Sequence, residues 1–276
     1  MKIGVFDSGI GGLTFVKKLF NLISNIEIIY FADTLHMPYG NKSREYIINR
    51  AKIIIDFLKS KNSELIISAC GTVSSVLPDL QNYKNYENII GVVEPSCLKA
   101  AKITKNNNIG IIATELSIKE RYYEKILLKI NKNFKIYPKS CPKLAEIIEN
   151  HNNDLSNQDF DYIKSCISFF NEKNIDTLIL GCTHYPIIKR IILQILSDIN
   201  IVDSSIETAK FVSKILSKKN NYNFNYNQKK IEICASNLTN EFKTNAINIL
   251  SGDVSEIFFS NGEKIFCPEA PERTLS

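Results

Sequence analysis

Glu64-Leu65-Ile66-Ile67-Ser68-Ala69-Cys70, followed by Gly71 and Thr72, has a counterpart in Thr177-Leu178-Ile179-Leu180-Gly181-Cys182, followed by Thr183 and His184. Each run is short and apolar and ends at a thiol, the pattern of a buried parallel strand with a cysteine at its carboxyl end. Earlier strands stand at similar distances, since Gly4 of Ile3-Gly4-Val5-Phe6 lies 66 residues before Cys70 and Gly110 of Ile109-Gly110-Ile111-Ile112 lies 72 before Cys182. The chain reads as two related halves, and the two cysteines as a matched pair.

Outward from these runs, apolar strands alternate with segments of helical period. Strands are expected at Glu27–Phe31, Leu65–Ala69, Ile89–Val93, Ile109–Ala113, Thr177–Leu180, Ile201–Val202 and Ile231–Cys234. Helical patterns cover Leu13–Ile23, Ser43–Leu58, Lys119–Ile130, Leu144–Glu149, Tyr162–Phe170 and Ile187–Leu196. Such alternation predicts βαβ units and parallel sheets. The expected fold is two pseudo-symmetric α/β domains, each a central, largely parallel sheet flanked by helices, with a site in the cleft between them. A break near Glu94-Pro95 and a return of the chain after about Asp203 divide it into residues 1–95 plus 207–276 and residues 96–206. The Asn-, Tyr- and Lys-rich stretch Lys218–Lys230 reads as a polar surface loop.

Length and composition agree, because 276 residues suit about two domains and a 44% hydrophobic fraction can build a core in each. Only Met1 and Lys2 precede the first strand, and no apolar run approaches the ~20 residues of a membrane helix, so a cytoplasmic protein without membrane attachment is expected. Seven cysteines without framework spacing imply reduced thiols. The net charge of +5 comes from scattered lysines rather than a basic stripe with interleaved aromatics, which argues against nucleic-acid binding. Cys182-x-His184, with no further Cys or His cluster, falls short of a zinc site, and no metal is expected.

Two loops follow the first strands. Phe6-Asp7-Ser8-Gly9-Ile10-Gly11-Gly12-Leu13 is a glycine-rich turn into a helix, able to offer backbone N–H groups to an anion. It lacks Gly-Lys-Ser/Thr and the dinucleotide glycine spacing. Phe31 to Gly40 holds Pro38-Tyr39-Gly40, a turn that would present Tyr39 and backbone amides.

Taken in order, VFDSGIGGLT, ADTLHMPYG, SACGTVSS, GVVEPS, the Cys141–Glu149 segment, LGCTHYP and VDSSIETA resemble the motif series of the glutamate racemases, in the aspartate/glutamate racemase superfamily. The resemblance runs from Ile3 to about Ala209, more weakly around Ile231–Ala235. It implies a cofactor-independent enzyme that interconverts L- and D-glutamate, supplies D-glutamate to peptidoglycan and commonly forms a homodimer. Cys70 and Cys182 match the two thiols, one on each face of the α-carbon. Asp7 beside Cys70, and His184 with Glu149 beside Cys182, match the residues that tune them. Ser8, Tyr39, Gly40, Gly71, Thr72, Ser117, Thr183 and His184 match positions that hold the amino and carboxylate groups, with Thr114 a further candidate. Cys97, Cys141, Cys166, Cys234 and Cys267 read as small buried hydrophobes, and His36 and His151 as structural.

The chemistry explains the pair. An amino-acid α-proton is a very weak acid, so its removal needs a desolvated base and fixed donors for the developing charge. One base would return the proton to the face it left, whereas inversion calls for groups on opposite sides. Several positions depart from the family pattern: Gly71 for Asn, Ala32 for Gly, Leu35-His36 for Ala-Arg, Ser117 for Thr and Ser205 for Gly, most of them expected beside the pocket. Gly71 in particular predicts weaker substrate binding or a water-filled gap. Two other readings follow, a racemase of aspartate or another amino acid, permitted by Gly71 and Leu35-His36, and a non-catalytic binding protein on a decayed racemase fold, against which both cysteines speak.

Overall fold

Ten strands form two all-parallel sheets in the computed structural model, which describes residues 1–23, 25–82, 86, 88–150, 155–218 and 229–262. His151, Cys267 and most of the expected polar loop lie outside the described residues. The strands are β1 (Lys2–Asp7), β2 (Ile26–Ala32), β3 (Leu65–Ser68), β4 (Ile89–Gly91), β5 (Asn108–Ala113), β6 (Lys135–Ser140), β7 (Thr177–Leu180), β8 (Asn200–Asp203), β9 (Lys229–Ala235) and β10 (Glu256–Asn261). One sheet has the order β10-β9-β2-β1-β3-β4, the other β6-β5-β7-β8. The second repeats the β2-β1-β3-β4 part of the first, so Gly4 and Gly110 fall on equivalent strands and Cys70 and Cys182 follow equivalent strands.

Helices cover both faces of each sheet, which is why the central strands are continuously apolar rather than alternating. Ile3, Val5, Ile28 and Tyr30 face one buried cluster and Phe6, Ile29, Phe31 and Ile66 another. In the second sheet Ile112, Leu178 and Leu180 face one side and Ile109, Ile111 and Ile179 the other. Gly4 and Gly110 admit the segments that precede the neighbouring strands closely: a Cβ would stand 2.9 Å from Ser63 Oγ at the first and 2.6 Å from Ile175 Cδ1 at the second. Among the described residues no helix is long and apolar enough to cross a membrane.

The structure adds to the expected elements, or divides them, in several places. Glu94 and Pro95 sit in the first turn of the helix Val93–Ile103, where proline is tolerated, and that helix carries the chain from one sheet to the other. The expected helix 119–130 is two, Glu115–Lys119 and Tyr122–Ile130, broken where Arg121 takes a left-handed φ of 54°. β6 and β10 were not expected. Both are half-exposed edge strands, and β6 carries Pro138, which edges accept. The chain returns through the helix Ser204–Ser217, which packs on Val93–Ile103, and β9 then joins β2.

Candidate active site

In each sheet the strand order reverses beside one strand, β1 between β2 and β3, and β5 between β6 and β7. Ligands in open α/β sheets bind beyond the carboxyl ends at such reversals. Here the two meet, and a single cavity is lined by Asp7, Ser8 and Gly9 after β1, by Cys70, Gly71 and Thr72 after β3, by Thr114 after β5, and by Gly181, Cys182, Thr183 and His184 after β7. Met37–Gly40 and, from the helix Leu144–Asn150, Ala145 and Glu149 complete the wall. Both thiols therefore face one space, and both are free.

Asp7 is fully enclosed at the end of β1. Its Oδ2 accepts the Gly12 N–H at 2.6 Å and the Thr183 hydroxyl at 3.4 Å. Burial pushes its carboxyl up to about 6, against the Gly12 and Ser8 amides and the Cys70 thiol that favour the anion. Glu149 is raised to about 7, by burial and by the charge on Asp7. Burial, and then Asp7, push Cys70 up to about 12, while the backbone N–H groups of Val73 and Thr72 oppose this. Cys182 is pushed up to about 12 by burial, with Asp7 and Glu149 adding to it and the His184 amide opposing. At these values both are thiols at neutral pH.

His184 Nδ1 lies 3.6 Å from Cys182 Sγ, and burial lowers the imidazole to about 4, so it is neutral there. Its Nε2 is buried with no hydrogen-bond partner among the described residues. A neutral imidazole can take a thiol proton, and an aligned carboxyl can do the same for the other thiol.

A chain of buried hydroxyls backs the wall. Thr72 Oγ1 lies 2.9 Å from Thr114 Oγ1, which lies 2.8 Å from Ser117 Oγ. Ser117 thus sits behind Thr114 and does not line the cavity, contrary to the sequence expectation. Tyr39 lines it, yet its hydroxyl donates to Asp33 Oδ2 at 2.5 Å, so the phenol anchors its loop instead of meeting an anion. Asp33 also takes Arg50 Nε at 3.0 Å and Nη2 at 2.8 Å, with His36 Nδ1 at 2.8 Å. Arg50 escaped the sequence reading, although it stands with Ile47, Ala51 and Ile54 on the buried face of the helix Arg44–Ser60, an unusual place for an arginine without a partner.

The departures noted above fall mostly away from the cavity. Leu35 is 53% exposed, His36 turns to Asp33, and Ser205 hydrogen-bonds Thr14 and Asp203; with Ala32, none of them lines the wall. Only Gly71 does, and the expected gap is absent, because the Gly181 carbonyl occupies the place a side chain would take. Cys97, Cys141, Cys166 and Cys234 are buried, as read from sequence.

The family model described as Asp/Glu/hydantoin racemase matches residues 3–212. Among curated proteins, glutamate racemase 2 of Caldanaerobacter subterraneus subsp. tengcongensis is 36% identical over 95% of this chain and 98% of its own. Two solved structures superpose well. A glutamate racemase isoform of Bacillus anthracis matches with TM-score 0.85 and 32% identity, covering 94% of this chain and 97% of that one. The Francisella tularensis glutamate racemase in complex with D-glutamate gives 0.84 and 33%, with the same coverage.

Proposed function

The chain belongs to the Asp/Glu/hydantoin racemase family, among its glutamate racemases, and from that premise we propose that it interconverts L- and D-glutamate by proton transfer between two thiols. The observation that carries the reading is that Cys70 and Cys182, from equivalent strand ends of two sheets, line one small cavity together with two carboxyls of raised pKa.

The paired thiols beside two carboxyls and an imidazole support a two-thiol cycle. A substrate ammonium entering beside Asp7 and Glu149 adds a positive charge that favours a thiolate. One thiol gives its proton to Asp7 or His184, and the resulting thiolate takes the α-proton as the new S–H bond forms and the C–H bond breaks. The electron pair left on the α-carbon spreads into the adjacent carboxylate, whose growing charge meets the Thr72 and Thr183 hydroxyls and the backbone N–H groups of the strand-end loops. The opposite thiol then donates its proton to the other face, becoming thiolate in turn. Atoms and charge balance, and the enzyme ends in the mirror protonation state, which Asp7 and His184 reset by moving one proton. Ser8, Gly40 and Gly71 contribute backbone donors; Tyr39 holds its loop.

The reading extends to residues 1–95 with 207–276 as one α/β unit and 96–206 as the other, to a homodimer, and to D-glutamate made in the cytoplasm for peptidoglycan. The division rests on the sequence pattern, and the dimer and the peptidoglycan role on the resemblance. The test of the activity is a circular-dichroism time course from pure L- and pure D-glutamate, with aspartate as control. Both glutamate traces should converge on the racemic signal, and convergence for aspartate but not glutamate would overturn the substrate assignment.

A further inference from the structure

One contact across the cleft is unusually close. A Cβ on Gly71 would stand 2.0 Å from the carbonyl oxygen and 3.1 Å from the carbonyl carbon of Gly181, where ordinary contact begins at 3.4 Å. The obstacle is main chain and is itself held, since the Gly181 N–H donates to Ile112 O at 2.8 Å and a Cβ on Gly181 would meet the Ala113 Cβ at 2.8 Å. Gly11 repeats the arrangement after β1, where a Cβ would lie 2.4 Å from Thr183 Oγ1 and 3.0 Å from His184 Cε1. There the first obstacle is a side chain that can turn aside; at Gly71 it cannot.

We propose that Gly71 is a positioning residue that sets the width of the cleft: having no side chain, it lets the end of β3 approach the end of β7 until their backbones touch. Its effect on catalysis rests on the racemase reading; its effect on geometry does not. Cys70 and Cys182 are the chain neighbours of this contact, so a change in its width displaces the segments that carry the thiols. A β-carbon at 71 requires the Cys70–Thr72 segment and the Gly181–His184 loop to part by more than 1 Å. Local conformation supplies no competing reason for glycine. Gly71 opens the short helix Gly71–Ser75 without a left-handed φ, and alanine is the better helix former.

Two roles for the missing side chain give different outcomes. If glycine merely lacks a polar contact to substrate, Gly71→Asn should tighten binding and Gly71→Ala should do little. If it sets the width, both fail alike, because the β-carbon they share makes the clash. The experiment uses the full chain and three variants, Gly71→Ala, Gly71→Asn and Gly11→Ala, with kcat and KM for each glutamate enantiomer, the rates of iodoacetamide alkylation of Cys70 and Cys182, and thermal melts. Both Gly71 variants should lose about 10²-fold in kcat, the cost of a misplacement near 1 Å. KM should change less, alkylation should rise several-fold and the melting temperature should hold. Gly11→Ala should move in the same direction by less. A lower KM with kcat retained in Gly71→Asn, or unchanged kcat and alkylation in Gly71→Ala, overturns the proposal. If the wild type racemises no glutamate, the functional reading falls, while the alkylation rates still decide the width.

Discussion

Replacing Arg50 by methionine strips a buried carboxylate of its guanidinium partner. Asp33 is completely enclosed and takes two guanidinium bonds, at 3.0 and 2.8 Å, beside the Tyr39 hydroxyl and His36. Its own N–H donates to Asp7 O at 3.0 Å, which ties this network to the strand that carries the candidate site. Burial would raise the Asp33 carboxyl, but Arg50, Tyr39 and His36 bring it below the usual carboxylate range. Breaking a buried pair by removing one partner costs about 3–5 kcal/mol. At about 2–4 °C per kcal/mol for a chain somewhat smaller than this one, the melting temperature should fall by roughly 6–20 °C.

The sign with pH follows from linkage. A depressed folded pKa contributes stability above the unfolded value, near 4, that is lost as pH falls through the folded one. The variant loses that contribution, and its carboxyl takes a proton more readily. The deficit against wild type should therefore be largest near neutrality and shrink toward pH 4. Differential scanning calorimetry at several pH values reads it, and Asp33→Asn combined with Arg50→Met should recover much of the loss because the unpaired charge is gone. A loss below about 1 kcal/mol, the scale of an exposed pair, or a double variant no more stable than Arg50→Met, would refute the reasoning.

Other expectations concern the cavity. With Asp7 and Glu149 raised to about 6 and about 7, kcat/KM should climb as pH rises through that window, and Glu149→Gln should move the midpoint down toward that of Asp7; an unmoved limb would exclude Glu149 from it. The same raised values mean that these two carboxyls contribute stability below pH 4 that is lost as pH rises to 7, so thermal melts of Glu149→Gln should flatten over that interval relative to wild type. Thr114→Val breaks the Thr72–Thr114–Ser117 chain and leaves buried hydroxyls short of a partner, which should cost about 1–3 kcal/mol and raise KM for glutamate.

The sequence exposed most of what lies at strand ends and little of what holds it from behind. Paired apolar runs ending in Cys70 and Cys182 were readable because both are short, continuous and buried on two faces, the pattern of central parallel strands. β6 and β10 were not, since edge strands with one solvated face lose that signal. Ser117 was misplaced and the Tyr39 hydroxyl misdirected because a motif locates a residue in the chain without saying whether its polar atom faces the cavity or a neighbour. The surroundings of Gly71 were illegible for a related reason: what fills the space of an absent side chain is Gly181, more than a hundred positions away, and only the packing of one sheet end on the other reveals it.

The central claim is that two thiols act on opposite faces of one carbon, and deuterium incorporation at Cα during the first turnovers in deuterated buffer tests it most directly. With two thiols, the product enantiomer should carry solvent deuterium while recovered substrate keeps its protium, from either direction, and Cys70→Ser and Cys182→Ser should each abolish racemisation. Product that retains the substrate's own proton, or racemisation that survives loss of either cysteine, would contradict the account.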